Sequence, residues 1–130
     1  LYAEQPLRVV IGRRELAPDA RLEPAHHHSD HDPQSALADL HTRGVRRVLL
    51  EGGATLAAHW WANGFVDEVV AYLAPALLGS GASAVGDLGI ASMPDIARLQ
   101  VTDVTQIGPD VRITASPLTR QPHQHQHQGA

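Results

Sequence analysis

Apolar residues fall in short clusters separated by Gly, Pro and charged residues. Leu7-Arg8-Val9-Val10-Ile11 is β-branched and apolar, and predicts a strand stopped by Gly12. Arg13-Arg14-Glu15-Leu16-Ala17-Pro18 then reads as a loop. Asp32-Pro33 predicts a helix start, because Asp caps and Pro is tolerated in the first turn. Ala36, Leu37 and Leu40 form one apolar face, and Gly44 stops that helix. Val45 to Leu50 is apolar on both parities and predicts a buried strand. A second helix is expected from about Ala54, carrying Leu56, Ala57, Trp60 and Trp61 and ending at Asn63-Gly64. Val69-Val70-Ala71-Tyr72-Leu73 predicts another strand, stopped by Pro75, and the Gly-rich stretch from Gly79 to Gly89 a long loop. Leu99 to Ile107 and Val111 to Ala115 predict two strands joined through Gly108-Pro109-Asp110 as a hairpin. Helices alternating with strands imply an α/β fold with a mainly parallel sheet flanked by helices, and a closing antiparallel hairpin at one edge.

Two segments stand outside this pattern. Pro24 to His31 and Pro122 to Gln128 are rich in His and poor in residues to bury. The first reads as a surface loop, and residues 119–130 as a disordered His/Gln-rich tail. Composition narrows the rest. A length of 130 residues fits one domain, and 43% hydrophobic with 18% charged residues is globular composition. Aromatics are only 4%, so the core must be aliphatic. Ten Lys and Arg against fourteen Asp and Glu give a net charge of −4, which argues against a protein that coats nucleic acid. The absence of Cys excludes disulfides, thiolate metal sites and Cys nucleophiles. No apolar run approaches the roughly 18–20 residues that span a bilayer. The chain opens Leu1-Tyr2-Ala3-Glu4-Gln5, without Met and without signal-peptide character, so it is expected to begin partway through a longer protein.

The stretch with most chemistry is Val48-Leu49-Leu50-Glu51-Gly52-Gly53-Ala54-Thr55-Leu56. It runs from an expected strand, through a Glu and two glycines, into a helix N-terminus. Such a terminus offers unpaired N–H groups and partial positive charge to an anion. The glycines let a phosphate approach the backbone, Thr55 adds a hydroxyl, and Glu51 can accept hydrogen bonds from a sugar hydroxyl or ring N–H. The plainer reading is a tight βα turn with a solvated Glu51; the motif alone leaves both open. No Gly-x-Gly-x-x-Gly fingerprint is present.

A wider series favours the first of them. Arg43-Gly44-Val45-Arg46-Arg47-Val48-Leu49-Leu50-Glu51-Gly52-Gly53-Ala54-Thr55-Leu56 continues in Gly64-Phe65-Val66-Asp67-Glu68-Val69-Val70-Ala71-Tyr72-Leu73-Ala74-Pro75-Ala76-Leu77-Leu78-Gly79. This order resembles the C-terminal reductase domain of bacterial riboflavin biosynthesis deaminase/reductase proteins. Leu7 to Leu22 resembles that family's preceding strand and loop, and Val101 to Ser116 its final hairpin. The resemblance implies a dihydrofolate-reductase-like domain over residues 1–118 and NADPH as hydride donor. It implies reduction of the ribosyl group of 5-amino-6-(5-phosphoribosylamino)uracil to ribityl, in the cytoplasm. By the same resemblance Gly52 and Gly53 with Ala54, Thr55, Leu56, Ala57, Ala58 and His59 form the NADPH-binding turn and helix, and Glu51 contacts substrate. Arg13 falls at a cofactor-contacting position, where a guanidinium can pair with a 2′-phosphate; a solvated basic turn is the alternative.

The chain departs from that family in three ways. It lacks the zinc deaminase motif, His-x-Glu with Pro-Cys-x-x-Cys. It lacks the family's early strand and helix with their substrate-holding residues. Its His-rich segment replaces a strand. An incomplete reductase domain is therefore expected, with a non-catalytic nucleotide-binding or dimerisation domain and a reductase of the non-deaminated pyrimidine as alternatives. No resident metal is expected: His26-His27-His28, His31 and the alternating His123, His125 and His127 read as adventitious ligands, with a metal-binding or storage module as the competing reading. Trp60 and Trp61 point about 100° apart, one to the core and one open to a partner. With the edge hairpin they lead to an expected homodimer, with no nucleic-acid or membrane partner.

Overall fold

The computed structural model describes residues 5–13, 17, 19, 21 and 25–118. The expected tail over 119–130 lies outside the described residues. Two compact units divide between Leu49 and Leu50.

In the first unit, β1 (Val9–Ile11) and β2 (His26–His28) form a parallel pair, and α1 (Pro33–Thr42) follows. The pair is in register Val9↔His26, Val10↔His27 and Ile11↔His28. The hydrogen bonds His26 N–H to Arg8 O (2.8 Å) and Gly12 N–H to His28 O (2.9 Å) bracket the ladder. The His-rich segment, expected as a surface loop, is thus a strand over its three consecutive histidines. Polar composition misled the loop reading: backbone pairing with β1 is indifferent to side-chain polarity, and β2 is only half buried. The start of α1 is built as expected. The Asp32 carboxylate accepts from Gln34 N–H (3.3 Å) and Ser35 N–H (3.0 Å), with Pro33 in the first turn. Pro33, Ala36 and Leu40 are buried, matching the 3–4 residue spacing.

Both helices end in one motif. After α1, Val45 N–H bonds to Leu40 O (3.1 Å) and Gly44 N–H to His41 O (3.0 Å), with Gly44 at φ +84°. After α2 (Ala54–Ala62), Phe65 N–H bonds to Trp60 O (3.1 Å) and Gly64 N–H to Trp61 O (2.9 Å), with Gly64 at φ +72°. The left-handed residue satisfies the last carbonyls in each case, and only glycine adopts it without cost.

Between the helices, Val45 to Leu50 does not form the expected strand. Val48 is 38% and Leu49 78% exposed. Apolar character predicts burial, but a strand exists only through bonds to a neighbouring strand, and among the described residues none pairs with this segment.

The second unit holds α2 and a three-stranded antiparallel sheet of β3 (Val69–Leu73), β4 (Leu99–Ile107) and β5 (Asp110–Pro117), in the order β3-β5-β4. A short 3-10 turn spans Met93–Asp95. The expected hairpin forms, with Gly108 at φ +59° in the first turn position. β4 carries a bulge between Val101 and Asp103. Val101 pairs with Ala115 and Val104 with Ile113, so valines three apart share one face. A regular strand would put them on opposite faces. On the other face the Asp103 carboxylate lies below its ordinary pKa, held first by the Thr105 hydroxyl (2.7 Å) and then by the Arg112 guanidinium (3.2 Å).

The buried residues of this unit, among those described, are few: Trp60, 2% exposed and edge-on to Phe65 at 6.5 Å, with Ala58 and Ala115. Trp61 is half buried. The α/β class, the two helices and the closing hairpin agree with the pattern-based expectation. The strands that form comprise a parallel pair and an antiparallel sheet.

Candidate functional site

The turn that leads into α2 is exposed at Glu51, Gly52 and Gly53. Gly53 is the N-cap residue, at φ −64° and ψ 172°, and no side chain caps the helix. Four N–H groups of a helix's first turn have no partner within the helix and carry the positive end of the helix dipole; here the N-cap residue supplies no side-chain acceptor for them. Serine, threonine, aspartate or asparagine would ordinarily fill that position. A β-carbon added at Gly53 meets nothing within 4 Å. Its backbone angles suit any residue, so neither conformation nor crowding inside the chain demands glycine there.

Gly52 differs. A β-carbon there would come within 3.1 Å of Leu56 Cβ and closer still to the end of that side chain. Gly52 is thus explained by packing against Leu56, whereas Gly53 keeps an approach to the N–H groups open. Glu51 is exposed and, among the described residues, has no ion pair. Its carboxylate is free for a hydrogen-bond donor from outside the chain.

Along the helix, Thr55 and His59 are exposed, Leu56 and Ala57 are half buried, and Ala58 is 8% exposed. His59 lies about 9 Å along the axis from Gly53, by the rise of 1.5 Å per residue. Its carbonyl accepts from the Asn63 side chain (2.8 Å), near the helix C-terminus. Glu51, Gly52, Gly53 and Thr55 are therefore exposed around a half-buried Ala54, and the next three positions are more buried. Arg13 is exposed and belongs to the first unit, apart in the chain from the other site residues.

One site neighbour was not singled out from the sequence. Gly86, within the Gly79 to Gly89 loop, donates its N–H to Ala54 O at 2.9 Å. A β-carbon at Gly86 would stand 3.1 Å from that carbonyl oxygen and 3.4 Å from Ala58 Cβ. The loop thus docks on the first turn of α2 through a backbone approach that a side chain would obstruct. The only local signal was the glycine itself, one of four in the loop. We expect Gly86→Ala to cost about 1–3 kcal/mol, the usual penalty for overpacking. Urea unfolding of the full chain measures it, and an unchanged midpoint would show that the loop yields freely.

The chain matches the family model described as the RibD C-terminal domain over residues 2–113. It is 37% identical over 118 residues to the riboflavin biosynthesis protein RibD of Mycobacterium tuberculosis, covering 88% of this chain and 34% of that protein. It is 36% identical over 77 residues to the 2,5-diamino-6-ribosylamino-4(3H)-pyrimidinone 5′-phosphate reductase of Methanothermobacter thermautotrophicus, covering 58% of this chain and 36% of that one. Among solved structures, one form of Acinetobacter baumannii RibD superimposes with a TM-score of 0.78 at 26% identity, over 89% of this chain and 38% of that chain. The chain spans about a third of the length of the curated relatives it matches, 34% for the mycobacterial protein. An uncapped glycine turn after Glu51, in a dihydrofolate-reductase-like α/β setting shared with those structures, and a family match over most of the sequence lead to one conclusion: this chain belongs to the RibD C-terminal domain family.

Proposed function

We propose that the chain, over residues 1–118, is the cofactor-binding part of an NADPH-dependent reductase of riboflavin biosynthesis. Its substrate would be 5-amino-6-(5-phosphoribosylamino)uracil, whose ribosyl group becomes ribityl. The observation that carries this reading is the uncapped α2 N-terminus beside Gly53, a glycine that neither its backbone angles nor its neighbours require. A phosphate of the cofactor is an anion of the size and charge such a terminus receives. The backbone N–H groups of Thr55 and Leu56 would donate to it, and the Thr55 hydroxyl adds a donor.

NADPH, when bound, supplies a hydride to C1′ of the ring-opened sugar. The remaining work belongs to the protein: to hold that carbon in place and to accommodate the charge on the amine or hydroxyls around it. Glu51, exposed at the head of the same turn, would accept hydrogen bonds from these donors and offset positive charge on the nitrogen. A second reading, reduction of the non-deaminated pyrimidine, is favoured by the name of the archaeal relative. The two substrates differ in a ring substituent rather than at the reacting carbon, so turnover assays with each separate them.

A homodimer also fits. Leu99, Val101, Val104 and Ile107 on the edge strand β4 are between 40% and 61% exposed. Light scattering should give the mass of two chains, and a monomer at working concentration would contradict it.

The functional test is direct. NADPH should quench the fluorescence of the chain's tryptophans or change its own emission on binding. Glu51→Gln should leave that affinity unchanged and lower kcat/KM at least about tenfold, the scale of a lost charge interaction at a reacting centre. Unchanged turnover and substrate affinity would remove any role for the Glu51 charge. No NADPH binding at all would overturn the reading.

A further inference from the structure

The parallel pair β1–β2 brings a second group of ligand-bearing side chains together, remote in sequence from the Glu51 turn. His26 and His28 are two apart on a strand, so they project to the same side, while His27 projects to the other. That side meets α1. The Asp39 carboxylate there accepts a hydrogen bond from His26 Nε2 at 2.6 Å, and its same oxygen, Oδ2, is 3.8 Å from His28 Nδ1. One ligand atom from each of the three residues lies within 4.8 Å of the others.

We propose that His26, His28 and Asp39 form a binding site for a divalent transition-metal ion of the Zn²⁺ class, tying β2 to α1. Two imidazoles and one carboxylate are a donor set suited to such an ion. Zn–N and Zn–O distances near 2.0–2.2 Å place tetrahedral ligand atoms about 3.4 Å apart. The 3.8 Å pair is already close to that spacing, and the 2.6 Å pair must open by about 0.8 Å.

The surroundings orient the ligands as metal sites require. The other carboxylate oxygen, Asp39 Oδ1, is held by Arg43 Nε at 3.1 Å, which leaves Oδ2 as a single ligand. The other ring nitrogen of His28, Nε2, faces Ser35 Oγ at 3.4 Å, and Ser35 in turn hydrogen-bonds the Asp30 carboxylate. A ligating histidine characteristically donates its second N–H to such a partner, which fixes the ring and presents Nδ1 to the ion. The side chains of His26, His28 and Asp39 are 19%, 14% and 29% exposed, sheltered yet reachable by an ion and a fourth, water ligand. The site does not depend on the reductase reading.

The test must discount the histidines of the last segment. In a full-length variant with His123, His125 and His127 changed to Gln, titration with Zn²⁺ against a chromophoric chelator should show one bound equivalent. Co²⁺ in its place should give the intense visible absorption of a four-coordinate site. Adding Asp39→Asn, which keeps the shape of the side chain, should weaken Zn²⁺ binding at least about tenfold, and His26→Gln with His28→Gln should abolish it. His27→Gln should leave it intact. Failure of the tail variant to bind one equivalent, a purely six-coordinate Co²⁺ spectrum, or Zn²⁺ binding that survives loss of both His26 and His28 would each overturn the proposal.

Discussion

Gly53→Asp should raise the melting temperature of the chain by a few degrees and weaken NADPH binding by about tenfold to a hundredfold. Both effects come from the same atoms. The α2 N-terminus has no side-chain cap, and the N-cap position is occupied by Gly53 in a conformation that any residue adopts. An Asp carboxylate there accepts the N–H groups of Thr55 and Leu56 and faces the positive helix end. Replacing Gly by Asp at an N-cap is worth a few tenths of a kcal/mol, and the dipole adds about 0.3–1. The new side chain has room, because nothing lies within 4 Å of the added β-carbon. The same carboxylate fills the approach to the N–H groups and repels a phosphate. Two unit charges about 5 Å apart at an effective dielectric constant near 20 repel by about 3 kcal/mol, and salt reduces this. Every 1.4 kcal/mol is about a factor of ten in affinity. Gly53→Ala is the control: it adds a methyl without charge, removes the mild capping preference of glycine and should lower stability slightly. Thermal melts and NADPH titration of the three proteins decide the matter. A stabilised Gly53→Asp that binds NADPH as tightly as the parent would place the cofactor phosphate elsewhere.

Trp60→Ala should destabilise the unit that carries α2 by about 3–5 kcal/mol, the usual cost of truncating a buried aromatic side chain. Trp60 is 2% exposed and edge-on to Phe65 at 6.5 Å, in a chain with only 4% aromatic residues to share the load. It stands two turns into α2, so its loss should also disorder the Gly53 turn and weaken NADPH binding. Trp60→Phe separates ring burial from the indole N–H. Trp60 Nε1 is buried and has no hydrogen-bond partner among the described residues. A buried donor without a partner is unfavourable, so removing it offsets part of the lost ring volume. Trp60→Phe should cost under about 1.5 kcal/mol. Urea unfolding followed by circular dichroism measures both variants. A midpoint for Trp60→Ala close to that of the parent would show that this side chain does not hold the helix in place.

Local signals carried the reading of the helices. Asp32-Pro33 marks a start that the structure realises through two carboxylate hydrogen bonds, and Gly44 and Gly64 mark stops realised by left-handed backbone. Such features are written in four to six consecutive residues, because capping uses groups that are neighbours along the chain. The Gly108 hairpin belongs to the same class, and so does the Glu51-Gly52-Gly53 turn. The series from Arg43 to Gly79 pointed to the family, and the family match over residues 2–113 agrees.

Non-local pairing was not legible. Val45 to Leu50 has the composition of a buried strand yet finds no partner among the described residues, whereas three histidines with no strand propensity become β2 because β1 pairs with them. The bulge that puts Val101 and Val104 on one face depends on the register of β4 against β5, which one strand's sequence does not contain. The docking of Gly86 on Ala54, and the meeting of His26 and His28 with Asp39, join residues 11 to 32 positions apart.

The sequence by itself determined where helices start and stop, where the hairpin turns and the family, because each is encoded by adjacent residues or by a long ordered motif. Tertiary structure decided which apolar segment becomes a strand, which glycine is needed for packing and which is left open, and that three histidines form a strand in register with Val9–Ile11, with His26 against the Asp39 carboxylate. Those outcomes depend on which backbone and side-chain groups come within a few ångströms across the fold, and hydrogen bonding, packing and metal coordination all act only over that range.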